Sequence, residues 1–291
     1  PTTASASIAR FAAQRYKHRP WSRVLPIPPA MIPGARFRPQ RSTSDRMVMA
    51  PAPASFASDP RAALSAYEEL GFHIERGLFE PADCDALVKA GRALPNFQTG
   101  SSRPAMNPHR NDAIFLRTMA NSRLVLIMRA LCGGNVSGLQ SEFFYGSPGT
   151  PGFAPHQDNF FVEAPGDAFA SAWLALVDVE PNNGALYLYP GSHRKGLLPV
   201  EKLEGPANPN QDPNATSQAA LLPPGSPTVD ACLGRGDVLF IHCLAAHGSH
   251  TNVSSEWRYA LLNTYIRRGA PFRPGRYAGR AEVDLDSVAT T

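Results

Sequence analysis

From residue 135 onward, apolar residues recur at every second position in short runs, and this alternation constrains the fold more than any other feature of the chain. Segments 137–146, 169–179, 185–189, 237–243 and 258–266 are rich in Val, Phe, Tyr, Leu and Trp and predict strands. Turn clusters such as Ser147-Pro148-Gly149 and Pro181-Asn182-Asn183-Gly184 separate them. The 29 prolines and 23 glycines among 291 residues fit many turns and exclude long helical bundles and coiled coils. Upstream, the pattern is helical. Asp59-Pro60 opens a helix over Arg61–Leu70 that Gly71 stops, and Phe72-His73-Ile74 then forms a short strand. Glu80-Pro81 opens a second helix running from Pro81 to Leu94, residues 95–113 form a polar loop, and Leu124–Leu131 belongs to a third helix closed by Gly133-Gly134. Residues 201–228 are a Pro/Asn/Gly-rich insertion. Helices followed by antiparallel strands predict one α+β domain over residues 59–291, built on a β-barrel or sandwich.

Charge divides the chain unevenly. Residues 1–46 hold nine of the 28 Lys and Arg against one acid, Asp45, so this stretch carries +8 and the remainder −4. Residues 1–58 read as a basic, Pro/Ala-rich leader, either mobile or draped over the surface. Its composition resembles an organelle transit peptide; the simpler expectation is an extension of a cytoplasmic protein. The mildly acidic remainder argues against nucleic acid as a partner. The absence of any apolar run of about 18 residues argues against a membrane span. The four cysteines, Cys84, Cys132, Cys232 and Cys243, show no CxxC spacing and read as reduced thiols. Oligomeric state is left open.

The strongest chemical signal is His156-Gln157-Asp158. In an extended segment, residues i and i+2 share a face, so the imidazole and the carboxylate can aim at one point while Gln157 points elsewhere unless the strand bends. A later buried strand, Asp237–Ile241, leads to His242, His247 and His250 as candidates for a second imidazole. Two histidines and a carboxylate on a barrel wall make the facial triad of non-haem Fe(II) oxygenases, which leaves three coordination positions for a bidentate 2-oxo acid and dioxygen. Arg258 follows His247 by eleven residues across a turn-like stretch. This offset favours His247 and brings a guanidinium fork beside it, suited to a carboxylate. His193, in Pro190-Gly191-Ser192-His193, reads as a turn-fixing hydrogen-bond residue.

With these residues goes a longer series of blocks: His156-Gln157-Asp158-Asn159, Trp173 in Ala172–Leu176, Asn183-Gly184-Ala185-Leu186, Pro190–His193, Gly236–Phe240, and His247-Gly248-Ser249 followed by Asn252, Ser254 and Arg258. In order and spacing the chain, over roughly residues 60–270, resembles the phytanoyl-CoA dioxygenase family of Fe(II)/2-oxoglutarate oxygenases. The resemblance implies a double-stranded β-helix, a jelly-roll or cupin-like barrel with supporting N-terminal helices. It implies iron on His156, Asp158 and His247, with 2-oxoglutarate and dioxygen as cosubstrates. It also implies 2-oxoglutarate contacts from Gln157, Ser249 and Arg258, with Trp173 lining the pocket. Gln140 and Glu142 share a face of the preceding strand and are expected on the same cavity, Gln140 toward the cosubstrate and Glu142 toward a cationic group of the substrate. Asn159 and Arg117 are further expected substrate contacts, Arg117 lying near the other loop cations Arg103, His109 and Arg110.

The expected activity is hydroxylation of a small polar metabolite, an amino acid, aminophosphonate or similar, with succinate and carbon dioxide as co-products. Asp158 supports hydroxylation, because related halogenases carry a small residue at that position. The alternatives are an oxygenase acting on an acyl-CoA or natural-product intermediate, a zinc-type barrel hydrolase or isomerase using the same triad, and a binding protein on an inactive barrel. No GxGxxG, Walker-type or GxSxG motif supports dinucleotide, phosphate-loop or serine chemistry.

Overall fold

The structure is a computed structural model in which residues 55–99, 103–203 and 218–288 are described. Helix α1 (Pro60–Leu70) starts where the Asp59 side chain accepts the Arg61 and Ala62 N–H groups, and it stops at Gly71 with φ +85°. Strand β1 (Phe72–Glu75) follows, then α2 (Pro81–Arg92), opened by a reciprocal cap between Glu80 and Asp83. The stretch expected as a loop over 95–113 contains α3 (Pro95–Gln98), β2 (Ala105–Met106) and a single 3-10 turn at Pro108–Arg110. Helix α4 (Ala113–Met119) then begins on an Asp112 cap. Seven residues are too few to display a helical period, so that cap was its only local signal. Helix α5 (Ser122–Cys132) is capped by Asn121 and ended by Gly133.

Strands β3 (Val136–Gly146), β4 (Phe169–Ala175), β9 (Val238–His242) and β11 (Arg258–Arg267) join β1 and β2 in a six-stranded antiparallel sheet of order β1-β9-β4-β11-β3-β2. Between β3 and β4 lies α6 (Asn159–Val162). Opposite stands a small sheet made of β5 (Leu186–Leu188), β8 (Val229–Asp230) and β10 (His247–Ser249), with β5 in the middle. Within the expected insertion, β6 (Val200–Lys202) and β7 (Gln218–Ala220) pair as a ribbon; residues 204–217 are outside the described range. The chain closes with α7 (Leu285–Val288). Two facing antiparallel sheets joined by crossovers form the expected jelly-roll barrel, with helices on the outer face of the larger sheet.

Strict alternation separates the two larger of three buried clusters. On β11, Tyr259, Leu261 and Tyr265 face the helices, where they meet Phe115, Ile127 and Met128, while Ala260 and Leu262 face the barrel interior with Trp173, Leu239 and Ile241. The Tyr265 hydroxyl, deep in the helical side, donates to the Met119 carbonyl at 2.7 Å. Gly91 of α2 marks a tight helix–sheet approach, since a Cβ there would lie 2.0 Å from Phe143 Cζ. The fold also starts earlier than expected. Phe56, on the leader side of the expected boundary at 58/59, is fully buried, packs edge-on to His73, and donates its backbone N–H to Glu75 Oε2 at 2.8 Å. The remaining expectations for the leader fall on residues 1–54, outside the described range. Among the described residues, no helix is long and apolar enough to cross a membrane.

Two outcomes test this packing. Gly91→Ala forces a methyl into Phe143 and should cost on the order of 1–3 kcal/mol, read as a melting temperature several degrees lower; wild-type melting would contradict the close approach. Burial holds His109 and His242 down at about 4, with the charge of Arg110 adding for His109 and the His193 ring adding for His242. The unfolded chain binds protons at the ordinary value of 6.5, ahead of these rings. Stability should therefore be full above pH 6.5 and fall as pH drops toward 4. A melting series of the metal-free protein from pH 7.5 to 4.5 should show this decline, and a rise would refute it.

Candidate active site

After β3 the chain crosses to the small sheet, where His156 and His247 form an antiparallel bridge. The His156 N–H donates to the His247 carbonyl at 2.8 Å, and the reverse bond is 3.0 Å. A directly opposed pair shares a face, so the two imidazoles stand side by side with ring centroids 4.4 Å apart. Asp158 does not continue the extended segment. Its backbone is helical (φ −56°, ψ −33°) and opens α6, and the turn brings its carboxylate back to the imidazoles. Oδ1 lies 3.8 Å from His156 Nε2 and 3.7 Å from His247 Nε2. The donor atoms of all three residues lie within 4.8 Å of one another.

The surroundings fix which atoms face the centre. His156 Nδ1 donates to the Ala154 carbonyl at 2.9 Å, and His247 Nδ1 to the Ala245 carbonyl at 3.0 Å. A carbonyl only accepts, so Nδ1 is the protonated nitrogen of each ring and Nε2 is the nitrogen that faces the centre. Burial, with the second imidazole beside it, holds His156 well below its ordinary value and keeps it neutral. Asp158 Oδ2 accepts the Ser171 hydroxyl of β4 at 2.8 Å, which leaves Oδ1 as the free donor. Two imidazole nitrogens and one carboxylate oxygen suit a divalent first-row metal ion such as iron.

The triad borders a cavity of about 280 Å³ between the sheets, also lined by Trp173, Ser249 and Arg258. Arg258, the first residue of β11, is 6% exposed. Its Cζ lies 5.7 Å from the Trp173 ring centroid, and its Nε has no hydrogen-bond partner among the described residues. Burial lowers its pKa only to about 10, so it remains a cation. A buried guanidinium lacking a carboxylate is costly, and a bidentate acid is its natural complement. Ser249 Oγ accepts the Phe153 N–H at 2.9 Å, which leaves its own proton for a ligand. Between His247 and Ser249, a Cβ on Gly248 would stand 2.4 Å from Tyr187 Oη and 2.7 Å from the Phe153 carbonyl, which explains the glycine in the motif.

Other expected residues divide into those that reach the cavity and those that do not. Gln140 and Glu142 line it from β3, and Gln140 Nε2 donates to Glu142 Oε1. Gln157 does not line it, contrary to the expectation from the resemblance. Its amide donates to the Gly196 and Leu244 carbonyls and accepts the Leu198 N–H, so its bonding capacity is spent tying loops together on the opposite face. It points away from the cavity even though the segment turns helical at Asp158 instead of staying extended. Asn159 is also a correction: its side chain exchanges two hydrogen bonds with the Ala164 backbone and closes α6. Arg117 is exposed on α4, whose opposite face buries Phe115 and Met119, and it stays outside the cavity lining. Arg103 and Arg280 line the cavity instead. His109 turns away to Ser141, and Arg110 donates to the Gly279 carbonyl. Of the alternative second imidazoles, His242 accepts the Leu244 N–H through Nδ1, and His250 pairs with Asp230 at 2.7 Å. His193 donates to the Glu68 carbonyl, as a turn-fixing residue should.

Sequence reasoning missed Ser171 and Arg280. Ser171 shares a strand face with Trp173, two residues away, so the period offered a signal. Arg280 had none, because it depends on how the C-terminal segment folds back along β3, where Gly138 bridges Val283.

Residues 67–260 match the family model described as phytanoyl-CoA dioxygenase (PhyH). The chain is 29% identical over 196 residues to an ectoine dioxygenase of Stutzerimonas stutzeri (strain A1501), a match spanning 62% of this chain and 63% of that protein. It is 29% identical over 163 residues to the peroxisomal phytanoyl-CoA dioxygenase of Rattus norvegicus, spanning 54% and 46%. Both matches thus span less than two thirds of the relative's length. The epimerase SnoN, solved with Fe3+, alpha ketoglutarate and nogalamycin RO, shares the fold with a TM-score of 0.61 at 22% identity, over 74% of this chain and 88% of that one.

Ser171→Ala should test how the carboxylate is held. With Oδ2 released, affinity for Co(II) in a spectroscopic titration should fall about 10- to 100-fold. An unchanged affinity would remove Ser171 from this role.

Proposed function

The chain belongs to the phytanoyl-CoA dioxygenase family, and on that premise we propose that it is an Fe(II)- and 2-oxoglutarate-dependent oxygenase that hydroxylates a small polar metabolite such as an amino acid or aminophosphonate. The observation that carries this reading is the convergence of His156, Asp158 and His247 on one side of a cavity that also holds the buried cation Arg258. His156, Asp158 and His247 would hold the metal through Nε2, Oδ1 and Nε2. When bound, iron and 2-oxoglutarate supply oxygen activation, one oxygen atom of O2 entering succinate as carbon dioxide leaves and the other entering a substrate C–H bond.

The protein's own side chains contribute binding, orientation and exclusion of water. Arg258 pairs with the distal carboxylate of 2-oxoglutarate, and the Ser249 hydroxyl donates to the same group. Trp173 packs against the guanidinium and limits its freedom. The apolar wall of Phe144, Leu186 and Leu262 keeps the reacting centre dry. At about 280 Å³ the cavity is at the small end for ligand pockets, about 300–1,000 Å³, which supports a compact substrate over a long acyl chain. A hydrolase using the same triad would leave Arg258 and Ser249 without a role. The catalytic domain is residues 59–291, joined by the buried Phe56, with the basic N-terminal stretch as its extension. The four free cysteines fit a reducing compartment, for which we take the cytoplasm, with organelle targeting by the basic N-terminal stretch as the alternative.

The Fe(II)-loaded protein titrated anaerobically with 2-oxoglutarate should develop a weak visible band, and in air it should release succinate. Ectoine and phytanoyl-CoA, from the relatives' names, are the first substrates to try. Arg258→Ala should raise the KM for 2-oxoglutarate about 10- to 100-fold. Turnover with zinc and without 2-oxoglutarate would overturn the proposal.

A further inference from the structure

The turn that carries Asp158 is too short to hold itself. Helix α6 has four residues, and a single turn of helix is unstable on its own in water. Its bonds start on the backbone of the candidate metal ligand: the Phe161 and Val162 N–H groups both donate to the Asp158 carbonyl, at 3.0 and 3.2 Å. Glu163 ends the turn in the left-handed region, φ +53°, a conformation unfavourable for a residue with a side chain. The carbonyls of Phe160, Phe161 and Val162 trail the turn and have no N–H within it to accept.

Arg273 supplies donors to all three. It stands on the segment that follows β11, beyond residue 260, where the family match ends. Its backbone N–H donates to the Val162 carbonyl at 2.7 Å, its Nε to the Phe161 carbonyl at 3.2 Å and its Nη2 to the Phe160 carbonyl at 3.4 Å. Its Nη1 pairs with Glu163 Oε1 at 2.9 Å. An ion pair as exposed as this one adds little by itself. What sets Arg273 apart is that one residue reaches four consecutive residues of one turn, with its positive charge at the negative end of the helix. The same segment also holds Asn107, the other non-glycine residue with positive φ among the described residues, whose side-chain amide donates to the Ala278 carbonyl at 2.6 Å.

Resting on the oxygenase reading, we infer that Arg273 is a positioning residue for the metal centre. It holds the α6 turn closed from its C-terminal end, and the closed turn keeps Asp158 Oδ1 beside His156 and His247. Ser171 sets the rotation of the carboxylate; Arg273 sets the backbone from which it hangs. Arg273 does not line the cavity and acts only through α6.

The test compares full-length wild type, Arg273→Met and Arg268→Met. Arg268 fastens the same segment to Asp284 and Asp286 rather than to α6, so its variant measures general loosening of the segment. The metal-free proteins are followed by amide hydrogen exchange, and Co(II) affinity by spectroscopic titration. In Arg273→Met the Phe161, Val162 and Glu163 N–H groups should exchange about 10-fold faster, with the amides of β4 and β9 unchanged. Its Co(II) affinity should fall about 10-fold, while Arg268→Met stays near the wild-type value. Unchanged exchange in α6, unchanged Co(II) affinity, or an equal loss of affinity in Arg268→Met overturns the inference and leaves the oxygenase reading standing. Faster exchange throughout the barrel makes Arg273 a general stabiliser and also overturns it. Wild-type protein that binds neither Co(II) nor, with Fe(II), 2-oxoglutarate under anaerobic conditions overturns the oxygenase reading and the inference with it.

Discussion

Two backbone hydrogen bonds between His156 and His247 are the constraint on which the site depends. They tie the loop leaving β3 to the edge of the small sheet, and a directly opposed pair cannot help but present both side chains to one face. The rest of the centre is built on that bridge. The carbonyls of Ala154 and Ala245 select the tautomers, and the helical turn at Asp158 returns the carboxylate to the same point. Ser171, reaching in from β4 of the large sheet, assigns the two carboxylate oxygens different partners. Both sheets therefore contribute to one small centre, and a slip of register in either would dismantle it.

The large sheet separates what must be greasy from what must be reactive. Its outer face is sealed by α2, α4 and α5, so residues such as Phe143 and Tyr265 stabilise the fold without touching the cavity. Its inner face can then carry costly groups. Arg258, Glu142 and Gln140 each stand where an apolar side chain would serve stability better. Glycines at two tight approaches, Gly91 against Phe143 and Gly248 against Tyr187, allow helix and sheet, and the neighbouring strands β5 and β10, to close this far. The arrangement separates the stabilising core from the catalytic wall at the level of single strands, residue by alternating residue.

The sequence by itself determined the strands and the faces of β3, β4, β9 and β11, because each is encoded in local spacing. His156, Asp158, His247 and Arg258 were legible as candidate residue types at set offsets, but the meeting of His156 and Asp158 was not, because the segment turns at Asp158 and that turn, not alternation, returns the carboxylate. Tertiary structure decided what local spacing cannot encode. Which of His242, His247 and His250 meets His156 depends on the pairing of segments about ninety residues apart. Arg280 rather than Arg117 reaches the cavity because the C-terminal segment packs along β3 while α4 turns its arginine to solvent. Phe56 joins the core because the Glu75 carboxylate captures its N–H. A periodic pattern states which way a side chain points from its own strand; only the register between distant strands states what it points at.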